Sequence, residues 1–141
     1  MAVSSELSER TLREIYLRAF EPAVRQAHAK AVMTSYNRIN GTYAPNSFDL
    51  CTTVLRREWG FDGVVMTDWG STDDGRADPA AALRAGNDLL MPGGKKACKA
   101  LLEGLRAGKC TTEDLRRCCA HVVEAILNSA TQREFIDKSR R

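Results

Sequence analysis

The sequence predicts an α/β fold in which three parallel strands alternate with helices. Three observations predict it. The β-branched run Val64-Val65-Met66-Thr67 lies between two turn signals, Phe61-Asp62-Gly63 and Gly70-Ser71-Thr72-Asp73-Asp74-Gly75, and reads as a buried strand. Two more apolar runs, Lys30 to Tyr36 and Asn87 to Met91, stand on either side with room for one helix between successive strands. The segments between them carry apolar residues at helical spacing. Such alternation implies a parallel sheet with right-handed crossovers. All three strands are apolar enough to require cover on both faces, so the chain reads as part of a larger α/β sheet or barrel.

The first helix is expected from about Ser8 to about His28. Ser8 is its N-cap, and Leu12, Ile15, Tyr16, Ala19, Phe20, Val24 and Ala27 form one stripe. Pro22 predicts a kink or break. After the first strand, Asn37 to Pro45 reads as a loop with its strongest turn signal at Asn40-Gly41. Asn46 or Ser47 then caps a helix bearing Leu50, Cys51, Val54, Leu55 and Trp59, which Gly60 stops. After the second strand, Asp78-Pro79 opens a helix and Gly86 closes it. Pro92-Gly93-Gly94 ends the third strand. The next helix holds Ala97, Leu101, Leu102 and Leu105 and ends at Gly108. Thr111 with Asp114 resembles a capping box, and Leu115, Cys118, Cys119, Val122, Val123, Ile126 and Leu127 form the expected buried face of the last helix. Residues 1–128 thus read as one partial domain, and 129–141 as a solvated tail.

Composition narrows the function. The chain has 141 residues and a formal net charge of +3, with no basic stripe interleaved with aromatics, so nucleic-acid binding is not expected. No apolar stretch reaches membrane-spanning length, and the first residues do not form a signal peptide. The five cysteines include no C-x-x-C pair, so neither a metal site nor a disulfide framework is expected. Reduced thiols fit a cytoplasmic setting.

Asp68 is the leading chemical candidate. It stands at the carboxyl end of the central strand, where parallel α/β proteins place their chemistry, and Trp69 follows it. A carboxylate beside an indole suits carbohydrate work: the acid attacks or stabilises an oxocarbenium-like centre, and the ring packs on a sugar face. The competing reading is a helix cap, although Asp78 already fills that duty for the next helix. Glu58, His28, His121 and Asp88 read as structural residues, Trp59 as core, and Asp73-Asp74-Gly75 as a turn.

Several segments together resemble the β-glucosidases and β-xylosidases of glycoside hydrolase family three. Glu9 to Leu17 reads E-R-T-L-R-E-I-Y-L, like that family's helix. Val32 to Gly41 is similar to its V-M-x-S-Y-N-x-x-N-G strand and loop, and Leu55 to Gly63 to its L-R-x-E-W-G-F-D-G turn. Thr67-Asp68-Trp69 matches its S/T-D-W motif, and Ala85 to Pro92 its A-G-x-D-x-x-M-P strand.

The resemblance implies the C-terminal half of a (β/α)8 TIM-type barrel and a retaining mechanism. Asp68 would be the nucleophile, and Trp69, Met33 and Tyr36 would line the sugar subsite. It implies a β-linked glucoside or xyloside as substrate and neither cofactor nor metal. The family's remaining sugar-binding residues and its acid/base have no counterpart in this chain. The expected partners are therefore the missing half-barrel and second domain of a parent chain. Alone, the segment is expected to be inactive and to form a homo-oligomer, or to be partly disordered. Two alternatives stand beside it: a non-catalytic interaction or scaffold module, and a β-N-acetylhexosaminidase of the same family, against which Trp69 and the Met33-to-Tyr36 motif argue.

Overall fold

The computed structural model describes residues 3–132 and residue 138; most of the expected tail lies outside them. The apolar run at the centre of the sequence becomes the buried strand of the sheet. This strand, Val64–Thr67, pairs in parallel with Ala31–Thr34, in the register Ala31 to Val64 through Thr34 to Thr67. Val65 is fully buried and packs with Val24, Leu55 and Phe61, while Val32 and Trp59 close over the cluster. Trp59 is therefore a core residue, as expected.

In chain order the strands are β1 (Ser4–Ser5), β2 (Ala31–Thr34), β3 (Arg38–Ile39), β4 (Thr42–Tyr43) and β5 (Val64–Thr67). The α-helices are α1 (Glu9–Thr11), α2 (Phe20–Arg25), α3 (Pro79–Ala85), α4 (Lys95–Arg106) and α5 (Thr112–Leu127). Wide, π-type helical segments cover Leu12–Tyr16 and Asp49–Glu58.

Four expectations are corrected. The first helix is not continuous to His28. Ser8 does cap it, accepting from the Thr11 amide, but the chain breaks after Tyr16 and α2 starts afresh at Phe20. Proline lacks an N–H, and the first four amides of a helix have no intrahelical acceptor. Starting α2 at Phe20 puts Pro22 among those four.

The third strand shrinks to one parallel bridge, Met66 to Leu89. Side chains take over the ladder there: the Val65 amide donates to the Asp88 carboxylate at 2.8 Å, and the Met91 amide to the Thr67 hydroxyl at 2.9 Å. Strand-like pairing is thereby reduced to Leu89 itself, whose carbonyl accepts from the Thr67 amide.

The loop Asn37 to Pro45 contains a hairpin, β3 antiparallel to β4, with β1 parallel to β3. Asn40 and Gly41 both have positive φ, 49° and 80°, which is the tight hairpin turn that Asn-Gly favours. The turn was legible; the strands, two residues each, were too short to show a period.

The apolar faces of the outer helices are only half covered. Ala80, Leu83, Cys110 and Cys118 form a second buried cluster with Leu101, Leu105 and Leu115. Gly104 makes this possible, because a Cβ there would meet the Ala80 Cβ at 2.3 Å. Cys119, Val123, Ile126 and Leu127 of α5 and Ile15, Tyr16 and Phe20 near the amino end are exposed, since no element among the described residues lies over them. Of the α5 face expected to be buried, Cys118 is therefore buried and Leu115 packs beside it, while the rest is half-buried or exposed.

The remaining helix ends follow the sequence. Asp78 accepts from the amides of Ala80 and Ala81, and Thr111 with Asp114 forms a complete capping box. Ser47 rather than Asn46 serves the Asp49–Glu58 segment, its hydroxyl accepting from Leu50.

Candidate active site

Asp68 is the first residue beyond β5. Its amide donates to the Thr34 carbonyl at 3.1 Å, tying the ends of β2 and β5 together where the chain leaves the sheet. One carboxylate oxygen accepts from the Trp69 amide at 2.6 Å. The chain then turns through residues 69–77 before α3 begins, and Asp78 caps that helix. Asp68 has no helix to cap, so the capping reading fails.

Tyr36 lies two residues past the end of β2, and its hydroxyl donates to the Trp69 carbonyl oxygen. Partial burial, then the nearby charge of Asp68, push the Tyr36 phenol above its ordinary pKa. The structure thus brings Asp68, Trp69 and Tyr36 together at the carboxyl end of the sheet. The Trp69 ring is 63% exposed and projects from this corner. Met33 lies farther back on β2, is 58% exposed, and lines an apolar groove of about 260 Å³ with Phe20, Leu50 and Trp59.

Buried polar groups fix this corner from below, and most of them carry no local signal in the sequence. Thr67 and Asn87 are fully buried. The Asn87 amide donates to the carbonyls of Pro45 at 2.7 Å and Ala82 at 3.1 Å, and its oxygen accepts from the Thr34 hydroxyl at 3.0 Å. Asp88 has no exposed side-chain surface. It accepts from Arg56 at 2.6 Å and from the Val65 amide at 2.8 Å, and it meets His121 Nδ1 at 2.7 Å. The structural reading of Asp88 holds. His121 and Arg56 could not be assigned to it from sequence, because their partner is more than thirty positions away along the chain.

Glu58 pairs with Arg13 through both carboxylate oxygens, at 2.6 and 3.0 Å, and that pairing draws its pKa below the ordinary value. Asp74 sits in a turn with positive φ and pairs with Lys96 at 2.8 Å. Both therefore have the structural roles expected of them. Among the described residues, no group of three or more His, Cys, Asp or Glu side chains is arranged to hold a metal ion. No helix among them is long and apolar enough to cross a membrane.

The profile described as "Glycosyl hydrolase family 3 N terminal domain" matches residues 2–125. The chain belongs to glycosyl hydrolase family 3. This family 3 chain is 50% identical over 119 residues to a beta-glucosidase of Rhizobium radiobacter, covering 81% of the chain and 14% of that protein. It is 38% identical over 135 residues to a beta-glucosidase of Ruminococcus albus, covering 90% of the chain and again 14% of the relative. Beta-glucosidase 3B of Thermotoga neapolitana has a similar structure, with a TM-score of 0.84 at 38% identity over 95% of this chain and 19% of that one. The family 3 chain thus spans only 14% of the length of each of these two curated relatives.

Proposed function

We propose that this chain is the nucleophile-bearing half of the barrel of a retaining β-glycosidase acting on β-glucosides or β-xylosides. One observation carries the proposal. In a family 3 chain, Asp68 emerges from the carboxyl end of a buried parallel strand, followed by an exposed tryptophan whose carbonyl is held by a tyrosine hydroxyl.

The chemistry follows from that corner. An Asp68 oxygen attacks the anomeric carbon as the bond to the leaving-group oxygen breaks, giving a glycosyl ester. An acid supplied from outside this chain protonates the leaving oxygen. The same group, now a base, then deprotonates the water that opens the ester and frees Asp68. Trp69 offers its face to the sugar, and Tyr36 holds the Trp69 backbone through its hydroxyl, close to the charge of Asp68. Met33 lies close enough along β2 to border the same mouth once the barrel is complete.

The half-barrel reading is supported by the open edge of β2. Lys30 and Thr34 carbonyls accept from β5, which leaves the amides of Ala31 and Met33 facing away from it. An edge of this kind, beside the exposed Ile15, Tyr16 and Phe20, fits a missing strand and helix of the parent chain or a second copy.

A 2-deoxy-2-fluoro-β-glucoside with a dinitrophenyl leaving group tests the assignment in the parent protein. The sugar ester should be found on the peptide holding Asp68 and should be lost in Asp68→Asn. Labelling of another carboxylate, with activity retained in Asp68→Asn, overturns it. The 141-residue chain alone should not turn over aryl β-glucosides or β-xylosides, and should run as a dimer or larger in light scattering.

A further inference from the structure

A second cleft has Tyr36 in its wall. It measures about 440 Å³ and is lined by Val3, Tyr36, Asn37, Tyr43, Asp74 and Arg76, among others. That volume falls within the range of small-molecule pockets, roughly 300–1,000 Å³. Because Tyr36 forms a wall of both this cleft and the Asp68 corner, a molecule seated at Asp68 can extend into it.

The polar groups of the cleft decide what it takes. Asp74 pairs with Lys96 at 2.8 Å, and its charge also lies near Arg76. The Asn37 oxygen accepts from Ser35, and its amide donates to the Arg38 carbonyl. The Tyr36 hydroxyl is used by Trp69. Arg76 is different. Its guanidinium lies over the Tyr36 ring, 5.5 Å from the centroid, and makes one long hydrogen bond, 3.4 Å to the Gly70 carbonyl. Among the described residues it has no carboxylate partner within ion-pair distance. The Tyr43 ring is backed by the Arg38 guanidinium at 4.3 Å. The uncommitted side-chain chemistry of the cleft is therefore donor-rich and cationic, between aromatic walls. A flat ring bearing an oxyanion fits it: the ring packs on tyrosine and the oxyanion takes two donors from the guanidinium fork.

We propose that this cleft is a leaving-group site selecting β-glycosides whose aglycone is an aromatic carboxylic acid, with Arg76 as the specificity-determining residue. This rests on the glycosidase reading of Asp68. No covalent step is added; Arg76 acts on binding alone.

The test uses three probes on the full chain: 4-carboxyphenyl β-glucoside, phenyl β-glucoside and 4-hydroxybenzoate. Affinity is read by titration calorimetry and by nuclear magnetic resonance shifts of the Arg76 side chain and the Trp69 indole. The carboxylated glucoside should bind at least about five-fold more tightly than the phenyl glucoside. Arg76→Gln should erase that margin without weakening phenyl glucoside, and Arg76→Lys should restore part of it. Arg76 is exposed, so neither variant should change the thermal midpoint. If phenyl glucoside shifts Trp69 but the carboxylate brings no margin, or the margin survives Arg76→Gln, the inference fails and the glycosidase reading stands. If 4-hydroxybenzoate binds in an Arg76-dependent way while neither glucoside moves Trp69, the anion site stands and the glycosidase reading fails. Absence of binding by the carboxylated glucoside and by 4-hydroxybenzoate overturns the proposal.

Discussion

Replacing Asp88 by alanine should be among the most damaging single changes in this chain. The side chain is wholly buried, and its Arg56 partner is 11% exposed. Asp88→Ala removes the Arg56 contact at 2.6 Å, the Val65 amide contact at 2.8 Å and the His121 contact at 2.7 Å. Losing one member of a buried ion pair costs about 3–5 kcal/mol, because the other charge stays buried without a partner. Arg56 keeps the Gly63 carbonyl at 3.0 Å, which holds the expected loss toward the lower end of that range. Domain stabilities are about 5–15 kcal/mol, so this is a large fraction of the whole. With a urea slope of about 2 kcal/mol/M, the unfolding midpoint should fall by roughly 1.5–2.5 M, read by circular dichroism at fixed protein concentration. Asp88→Asn keeps an acceptor for Val65 and should cost less. His121→Ala should cost about 1–2 kcal/mol, since His121 is 20% exposed and one bond is lost. Combined with Asp88→Ala it should add almost nothing, because both changes act on one network. A loss below about 1 kcal/mol in Asp88→Ala, with an unchanged slope, refutes the claim that this carboxylate anchors β5.

Three other outcomes follow. On the proposed glycosidase reading, Trp69→Ala in the parent protein should weaken transition-state binding by about 1–4 kcal/mol, seen as reduced kcat/KM; unchanged kinetics would remove Trp69 from the proposed sugar site. Burial disfavours the charged form of Asp114, but hydrogen bonds from Arg117 and Thr111 outweigh it and hold this carboxyl below its ordinary value. Its stabilisation is therefore complete above the unfolded value near 4 and is lost as pH falls below it. Arg117→Met should flatten that part of an acid-unfolding profile, and an unaltered profile would count against the pairing. Cys98 and Cys119 are exposed, whereas Cys51, Cys110 and Cys118 are buried and burial pushes the Cys51 and Cys118 thiols up to about 12. A disulfide reagent at pH 8 should titrate two thiols quickly and the other three only in denaturant; five equal rates would contradict this burial.

What the sequence revealed, and what it hid, divides by range. Asp78, Thr111 and Gly60 act on residues within four positions, and the local chemistry of caps was enough to read them. The β-branched run of β5 carried its own burial signal, which placed Asp68 correctly at its end. The Asn87-to-Met91 strand failed because the side chains of Asp88 and Thr67 perform the pairing that backbone groups were expected to perform. Ile126 and Leu127 misled for another reason: periodicity reports which face is apolar, not whether anything lies on it. Within the site, Asp68, Trp69 and Tyr36 were legible because strand ends and a family motif mark them. Arg76 sits in an irregular turn, where no period singles out one residue.

Asn87 gives the fold a particular kind of cooperativity. One amide side chain holds a carbonyl before the Asp49–Glu58 segment, a carbonyl inside α3 and a hydroxyl on β2. These three anchor points, Pro45, Ala82 and Thr34, belong to separate stretches of chain. None can leave without stripping a partner from the fully buried Asn87 amide, so local fraying of any one is penalised by the other two. In amide hydrogen exchange, the protected amides of β2 and α3 should therefore exchange through one shared opening, with closely similar protection, although the two elements lie far apart along the chain.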